Sequence, residues 1–291
     1  MRPAPFEYLA PRSPEDAVAR LAEYKGEARL LAGGQSLVPL LNLRMARPAA
    51  LIDLGRCKDL AYLRRQDGWL AFGPMARQMD AEHSELVREH CALLFRALPY
   101  LGPPATRTRG TVCGTLAHAD RLAELPAVAV ALGAEITALG PNGERTIAAR
   151  DFFVGDLTTA LAPDEMLREV RFPVDKGETG AGFAEATIRH HDLMLLGVAA
   201  RLEFASGKCR AAQLAVVGGY SVPQRLTRSE ALLGGSVLSD TVIAQAAKVA
   251  GEGIELQDDT YATERYRRRI LPALVDRAIR QALVGRTMHG D

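Results

Sequence analysis

The N-terminal part of the chain alternates short apolar runs with one amphipathic segment. SPEDAVARLAEY begins at Ser13, whose hydroxyl suits a helix N-cap, and continues with Pro14 at the first helical position. The runs EARLLAGG and AALIDLGR follow and predict two strands, the first of which ends at a pair of glycines. We therefore predict a small βα-type unit over residues 1–57.

A second unit, residues 58–174, is predicted from two hairpins that frame a helical region. Asp-Gly at 67–68 and Pro-Asn-Gly at 141–143 separate alternating apolar stretches and favour tight turns between antiparallel strands. DAEHSELVREHCALLFRALPYLG and LAELPAVAVALG predict helices, and the glycine- and threonine-rich stretch 103–120 between them predicts a loop. EMLREVRFPV predicts an edge strand that ends at Pro173, which has no N–H to donate.

The last unit, residues 175–291, changes to strands followed by helices. DKGETGAG, at 175–182, is polar and glycine-rich, which predicts a linker. GFAEATIRH, LLGVAARLEF and CRAAQLAVVGG predict a three-stranded antiparallel meander. DTVIAQAAKVAGEG, with Asp240 as a candidate cap, and TERYRRRILPALVDRAIRQALVG predict helices, so the unit belongs to the α+β class.

Composition and charge describe an ordinary globular protein and exclude several kinds of partner. Of 291 residues, 48% are hydrophobic and 24% are charged, and the net charge of +1 gives no global attraction for nucleic acid or anionic membranes. No run reaches the roughly 18 uncharged apolar residues of a membrane span, and the first residues lack a signal-peptide core. We expect a cytoplasmic protein with no membrane span and no nucleic-acid partner.

Metal ligands are not arranged in any recognisable pattern. The cysteines lie far apart and none forms a CxxC pair, so we expect neither zinc nor an iron–sulfur cluster on this chain alone. The neighbouring His190 and His191 would point to opposite faces of a strand and could not easily share a metal. The four cysteines are Cys57, Cys91, Cys113 and Cys209.

Two segments that are rich in small residues are candidate ligand sites. In AGGQS, Gly33 and Gly34 can leave consecutive backbone N–H groups free to converge on an anion, and Ser36 adds a hydroxyl. Alone, this segment also fits a plain strand-to-helix turn. In TRGTVCGTLAHAD, Gly110 and Gly114 bracket further small residues with hydrogen-bond donors. Two such loops on successive units would let one extended ligand lie between them, with its diphosphate held from both sides.

Several common motifs are missing from the sequence. GAG and GEG lack the third glycine of GxGxxG, which disfavours a Rossmann domain, and no P-loop is present. No Ser-His-Asp order or HExxH helix suggests hydrolysis, and we can assign no catalytic residue. RYRRR at 265–269 predicts a solvated helix face, with a partner-docking face as the alternative.

Six blocks in order carry a resemblance to a known family: FEYLAPRSPEDAVARL, LLAGGQSLVPLLNLR, RGTVCGTLAHADRLAELPAV, LREVRFP, GFAEATIRHHD and YATERYRRRILPALVDRAI. Together they resemble the FAD-binding medium subunit of molybdenum hydroxylases of the carbon monoxide dehydrogenase and xanthine dehydrogenase type. The resemblance implies two α+β subdomains that clasp FAD (the PCMH-type fold), followed by a C-terminal α+β domain with a three-stranded antiparallel sheet and helices.

The same resemblance implies a function and a set of cofactor-binding residues. A large molybdopterin subunit would oxidise the substrate and pass the electrons to the [2Fe–2S] clusters of a small subunit. From these clusters the electrons would pass to FAD on this chain. From FAD they would reach NAD+ or another acceptor. The residues implied to bind FAD are Ala32, Gly33, Gly34, Gln35, Ser36, Thr111, Val112, Cys113, Gly114, Thr115, Asp120, Asp192 and Leu193.

Three departures from the family pattern lie near the expected cofactor. Cys113 stands where the family has a glycine, GPPATRTRG replaces a conserved-looking GHxQIRNRG block, and HDLM replaces GDYA, so that Leu193 takes the place of a tyrosine. A positive φ at Cys113 would cost about 1 kcal/mol or more. These departures motivate one alternative, a scaffold subunit that has weakened or lost FAD binding. A second alternative is a stand-alone FAD-dependent oxidase that acts on a small alcohol; it would need an acid–base pair over the flavin, which the sequence does not clearly show.

Overall fold

The protein is described here by a computed structural model that covers residues 2–189 and 192–290. The first unit contains three strands and two helices: β1 (Glu7–Leu9), α1 (Pro14–Glu23), β2 (Ala28–Leu31), α2 (Leu37–Asn42) and β3 (Ala50–Asp53). The strands form a parallel sheet in the order β1-β3-β2. The predicted start of α1 is confirmed, because the Ser13 hydroxyl accepts a hydrogen bond from the Asp16 N–H at 3.1 Å.

The second unit is built around a five-stranded antiparallel sheet. Its elements are β4 (Leu63–Gln66), β5 (Trp69–Phe72), α3 (Gln78–Glu82), α4 (Glu85–His90), α5 (Ala92–Ala97), α6 (Pro104–Arg107), α7 (Val112–His118), α8 (Leu125–Leu132), β6 (Glu135–Gly140), β7 (Gly143–Ala148), α9 (Ala149–Phe152), β8 (Phe153–Gly155), β9 (Thr158–Thr159) and β10 (Met166–Pro173). The large sheet has the order β4-β5-β10-β6-β7, and β8 and β9 form a separate hairpin. Both predicted hairpins are confirmed.

Three predictions for the second unit are wrong. Strand β10 is central rather than at an edge; Pro173 is its last paired residue, so the missing N–H breaks no interior hydrogen bond. The predicted helix after residue 80 is divided into α3, α4 and α5, because the backbone leaves the helical region at Ser84 and Cys91. The predicted loop at 103–120 contains helices α6 and α7.

The third unit places its strands in one antiparallel sheet. Its elements are β11 (Gly177–Thr187), β12 (Met194–Ala205), β13 (Lys208–Val217), β14 (Gln224–Arg225), α10 (Thr227–Leu233), α11 (Asp240–Lys248), α12 (Glu264–Val284) and β15 (Thr287–His289). The sheet order is β14-β13-β12-β11-β15. The predicted α+β class and three-stranded meander are confirmed, and the short strands β14 and β15 extend the meander at its two edges.

Three finer predictions for this unit are wrong. The predicted linker 175–182 is mostly the start of β11, where glycines are required by close packing rather than by flexibility. The cap of α11 is Ser239 rather than Asp240, since the Ser239 hydroxyl accepts the Val242 N–H. The arginine run is not a uniformly solvated face, because Arg267 is fully buried.

The sheet of the third unit is covered on both faces. Helix α12 packs on one face, and α5 and α8 of the second unit pack on the other. The rings of Tyr100 and Phe183 meet there with centroids 5.2 Å apart. A single apolar core therefore runs from the second unit into the third.

Within 2–189 and 192–290, no helix is both long and apolar enough to cross a bilayer. Over the same ranges, no cluster of three or more His, Cys, Asp or Glu side chains is placed to hold a metal ion. The pair His190 and His191 lies outside the described residues.

Candidate cofactor cleft

The two glycine-containing segments lie against each other. A Cβ atom on Gly33 would lie 2.5 Å from the carbonyl oxygen of Arg109 and 2.9 Å from the Cα of Gly110. Gly34 has φ +73°, a left-handed conformation that glycine adopts without strain. The glycines thus allow direct backbone contact between the first and second units at this point.

The turn between β2 and α2 presents unpaired backbone donors. Within the described part of the chain, no group accepts a hydrogen bond from the backbone N–H of Gly33, Gly34, Gln35 or Ser36. The Gln35 side chain folds back and donates to the Gly33 carbonyl at 3.2 Å. These four solvent-accessible donors follow one another at the wall of a cleft, an arrangement that fits an anionic ligand.

The first turn of α7 uses most of its polar groups within the fold. The Thr111 hydroxyl accepts the Gly114 N–H at 3.0 Å and so caps the helix. The Thr115 hydroxyl accepts from the Gln78 amide at 2.7 Å and donates to the Thr111 carbonyl at 3.3 Å. This segment therefore shapes the wall of the cleft, whereas the first segment supplies its free donors.

Cys113 fits its position without strain. It lies inside α7 and is not among the residues with positive φ, so the strain energy that a positive φ would impose on its Cβ does not arise. Its side chain is 2% exposed, and the thiol donates to the Phe72 carbonyl at 3.3 Å. Burial raises the pKa of the Cys113 thiol well above its usual value, which disfavours the reactive thiolate.

A cavity of about 580 Å³ is lined by both segments and continues along the first unit. Its volume is in the range of small-molecule and cofactor sites. Nine predicted residues line it: Ala32, Gly33, Gly34, Gln35, Ser36, Thr111, Cys113, Gly114 and Thr115.

A second compartment of about 360 Å³ adjoins the first. Both compartments are lined by Ser36, Thr115 and His118, so they form one continuous cleft. The second compartment lies between the turn after α7, which contains Asp120, and the start of β12, which follows Leu193. We call the larger cavity the first compartment and the smaller one the second compartment.

Two family models together span most of the chain. The FAD-binding domain of molybdopterin dehydrogenase matches residues 4–175, and the C-terminal domain of the CO dehydrogenase flavoprotein matches residues 181–282. This chain belongs to the FAD-binding medium-subunit family of molybdenum hydroxylases. It is an oxidoreductase subunit, and its cofactor is FAD.

Individual relatives match over nearly their full length. Subunit alpha of the 6-hydroxypseudooxynicotine dehydrogenase complex of Paenarthrobacter nicotinovorans is 37% identical over 97% of this chain and 96% of its own. Caffeine dehydrogenase subunit beta of Pseudomonas sp. (strain CBB1) is 34% identical over 100% and 99%. A solved carbon monoxide dehydrogenase from Hydrogenophaga pseudoflava, which lacks the Mo-pyranopterin moiety, superposes with TM-score 0.94 at 32% identity over 98% and 99%.

The structure of this medium subunit brings twelve of the thirteen predicted residues to the cleft. Nine line the first compartment, and Asp120, Asp192 and Leu193 line the second. Val112 is the exception: it is buried in the core, and its N–H donates to the Ala76 carbonyl at 3.1 Å. Neither its side chain nor its N–H is therefore available to a ligand.

Sequence reasoning missed three polar residues in and beside the cleft of the medium subunit. Gln78 lines the first compartment, and its Oε1 is buried with no hydrogen-bond donor among the described residues. Glu124 lines the second compartment, and Glu185 has a buried Oε2 that is likewise without a described donor. Gln78 belongs to no motif, whereas Glu124 lies in the resembling block RGTVCGTLAHADRLAELPAV and Glu185 in GFAEATIRHHD, and those positions could have drawn attention to them.

The two glutamates are held in an environment that favours their neutral forms. Burial raises the pKa of Glu124 to about 8, with smaller contributions from the negative charges of Glu185 and Asp120. Burial also raises the pKa of Glu185 to about 7. Near neutral pH, Glu124 therefore gives the second compartment of the medium subunit a carboxyl group that can donate as well as accept a hydrogen bond.

Proposed function

We propose that this chain is the electron-transfer flavoprotein subunit of a molybdenum hydroxylase complex. In this proposal it carries FAD between partner [2Fe–2S] clusters and an external electron acceptor. The observation that carries the proposal is the run of four unpaired backbone N–H groups at Gly33–Ser36 beside a continuous two-compartment cleft. The family assignment supports the same cofactor.

The residues present fit the chemistry of FAD. Four successive backbone N–H groups would hold the diphosphate, because its negative charge can be shared among several donors. They are those of Gly33, Gly34, Gln35 and Ser36. The α7 segment would form the opposite wall from Thr111 to Thr115, leaving out Val112. Bound FAD supplies the redox chemistry, and the protein supplies binding, orientation and electrostatics.

The second compartment would hold the polar edge of the flavin. Asp120 accepts a hydrogen bond from the Leu122 N–H, and Asp192 accepts one from the Leu193 N–H. These hydrogen bonds fix both carboxylates at the wall of the compartment. Leu193, 46% exposed, offers an apolar surface where the family commonly has a tyrosine. A neutral Glu124 could donate a hydrogen bond to a ring oxygen or nitrogen, which a carboxylate cannot do.

Partners and location follow from the family rather than from the cleft. We propose a small [2Fe–2S] subunit and a large molybdopterin subunit as partners in the cytoplasm, with NAD+ or another acceptor to receive the electrons. The named relatives are subunits of dehydrogenases, which supports an assembly of this kind. The division of the chain at residues 57/58 and 174/175 into two FAD-binding subdomains and a C-terminal domain is part of the same proposal.

Purification of the full chain, followed by denaturation and a visible spectrum of the supernatant, tests the cofactor. We expect flavin absorbance near one FAD per chain. A colourless supernatant, with no binding of added FAD, would instead support the scaffold alternative. Copurification with an iron–sulfur subunit and a molybdopterin subunit supports the complex, whereas direct flavin reduction by a small alcohol without partners would support the oxidase.

Substitution of Gly34 tests the role of the first segment. Gly34→Ala places a side chain at φ +73° beside the unpaired N–H groups, and we expect FAD occupancy to fall several-fold. Gly253→Ala is a matched control, because Gly253 has φ +76° and open space around its Cβ position. If both variants retain wild-type FAD occupancy, the diphosphate is not held by this turn.

A further inference from the structure

Arg267 is a fully buried arginine in which each of the three guanidinium nitrogens donates a hydrogen bond. Its side chain is 0% exposed. Its Nε donates to the Leu195 carbonyl at 3.0 Å, and Nη1 donates to the carbonyls of Gln257 and Ala262 at 2.6 and 2.8 Å. Its Nη2 donates to Asp259 Oδ2 at 2.6 Å. Such a buried charge is tolerated only because it is paired and hydrogen-bonded.

Asp259 joins this arginine to a second one. The same Oδ2 atom lies 3.0 Å from Arg121 Nη1, and Oδ1 accepts the N–H groups of Tyr261 and Ala262 at 2.8 and 2.9 Å. Burial alone would raise the pKa of Asp259, but these backbone hydrogen bonds and Arg267 outweigh it and lower the pKa. Asp259 is therefore a carboxylate between two guanidinium groups.

The two ends of this network reach the two walls of the second compartment. Arg267 holds the carbonyl of Leu195, directly after Met194 in the wall formed by the start of β12. Arg121 lies between Asp120 and Leu122, which line the opposite wall. Arg121 is itself fixed from its own side, where its N–H donates to Asp156 Oδ1 at 3.2 Å.

We propose that Arg121, Asp259 and Arg267 form a positioning network that sets the spacing of the two walls of the second compartment. None of the three lines the compartment, so they act through the residues that do. The consequence that we expect, a fixed orientation of the flavin, rests on the proposed function. A planar guanidinium fixes direction as well as charge, which explains two arginines rather than lysines.

Arg121→Met tests the network with little risk to folding, because it removes the link between the walls and an ion pair with the exposed Asp156, and leaves Arg267 paired with Asp259. Arg121 is 20% exposed at its side chain, so its removal leaves no fully buried charge unpaired. Arg268→Met is the control: Arg268 lies on the same helix as Arg267, is exposed, and pairs with Glu264 outside the cleft.

Hydrogen exchange of the full FAD-free chain gives the first readout. We expect faster exchange in Arg121→Met at 120–123 and also at 192–196, with the melting temperature close to that of the wild type and the control unchanged. Faster exchange at 120–123 alone would overturn the inference, since the opposite wall would then be independent of Arg121. This readout needs no bound FAD, so it distinguishes failure of the network from failure of the proposed function.

FAD binding gives the second readout. We expect Arg121→Met to raise the FAD dissociation constant about tenfold, as removal of outer partners does at other sites, and to alter the visible circular dichroism of the flavin. Arg121→Lys should recover part of both, because it keeps the charge. An unchanged dissociation constant and an unchanged flavin spectrum in Arg121→Met would overturn the inference.

Discussion

Glu124 places a carboxyl group in the second compartment, and the residue is only 9% exposed. Burial raises its pKa to about 8, so the folded chain holds a proton there at pH values where the unfolded chain does not. Glu185 shows the same direction, with a pKa raised to about 7. A buried carboxyl group that stays neutral lowers the free energy of unfolding but gives the site a hydrogen-bond donor. Such perturbed pKa values are typical of functional positions.

The pH dependence of stability tests this state of Glu124. Between the unfolded pKa and about 8, the folded state binds more protons than the unfolded state, so the free energy of unfolding should fall as pH rises. The loss is at most about 1.4 kcal/mol per pH unit for one group. Glu124→Gln should flatten this decline from pH 5 to 8 in urea unfolding of the chain.

An exposed glutamate provides the control for that measurement. Glu252→Gln changes the same functional group outside the cleft and should leave the slope of the free energy of unfolding against pH at the wild-type value. Equal slopes for Glu124→Gln and the wild type would show that the carboxyl ionises in the folded chain as it does in the unfolded one.

The sequence predicted the glycine turn but not the other polar groups of the cleft, for a physical reason. Gly33 and Gly34 are recognisable because backbone approach and positive φ require glycine at that position. The burial of Glu124 depends instead on its surroundings in the folded chain, which no local pattern encodes. Arg267 illustrates the same limit, since the pattern of RYRRR does not single out which arginine enters the core.

At the level of elements, helix α12 lies unusually close to strand β11. A Cβ atom on Gly180 or Gly182 would overlap the backbone carbonyl groups of Ala282 or Ala278 in the helix. The two glycines are therefore not flexible positions but contact points, and the Gln281 side-chain carbonyl also accepts a hydrogen bond from the Phe183 N–H at 2.9 Å. This packing holds the helix that contains Arg267 against the sheet.

Gly182→Ala tests this contact. The new methyl group must displace helix backbone, which cannot move without disturbing the core, so we expect a loss of about 1–3 kcal/mol in the free energy of unfolding. Chemical denaturation measures it. Gly155→Ala is a suitable control in another strand, because its Cβ would meet only Thr158 at ordinary distance; comparable losses in both variants would contradict the close-packing account.

Elements with strong local signals were predictable, and those decided by distant contacts were not. The Ser13 cap and the Asp-Gly turn at 67–68 act through neighbouring residues, and both are present as predicted. Strand β10 looked like an edge strand because Pro173 ends it, but its central place depends on pairing with β5 and β6. The start of β11 looked like a linker because glycine content alone does not distinguish flexibility from close packing.

In the whole molecule, a buried ion pair lies where the second unit meets the third. Asp175 Oδ1 accepts from Arg201 Nε at 2.7 Å, and Oδ2 accepts the Ala92 N–H at 2.8 Å, so one carboxylate joins α5 to β12. The side chains of Asp175 and Arg201 are 2% and 9% exposed. Because the second compartment is lined by residues of both units, this junction also supports the cleft.

Removal of one partner from this pair should cost more than removal of both. Asp175→Ala removes the buried carboxylate that pairs with Arg201, leaves Glu203 as its remaining acidic partner and leaves the Ala92 N–H unpaired, so we expect a loss of about 3–5 kcal/mol in the free energy of unfolding. Asp175→Ala combined with Arg201→Met also removes the buried guanidinium that has lost its main partner and should recover part of that loss. Urea denaturation of the single variants, the double variant and the wild type forms a double-mutant cycle. Strictly additive losses would mean that the Asp175 and Arg201 side chains do not stabilise one another, and that the two variants act independently.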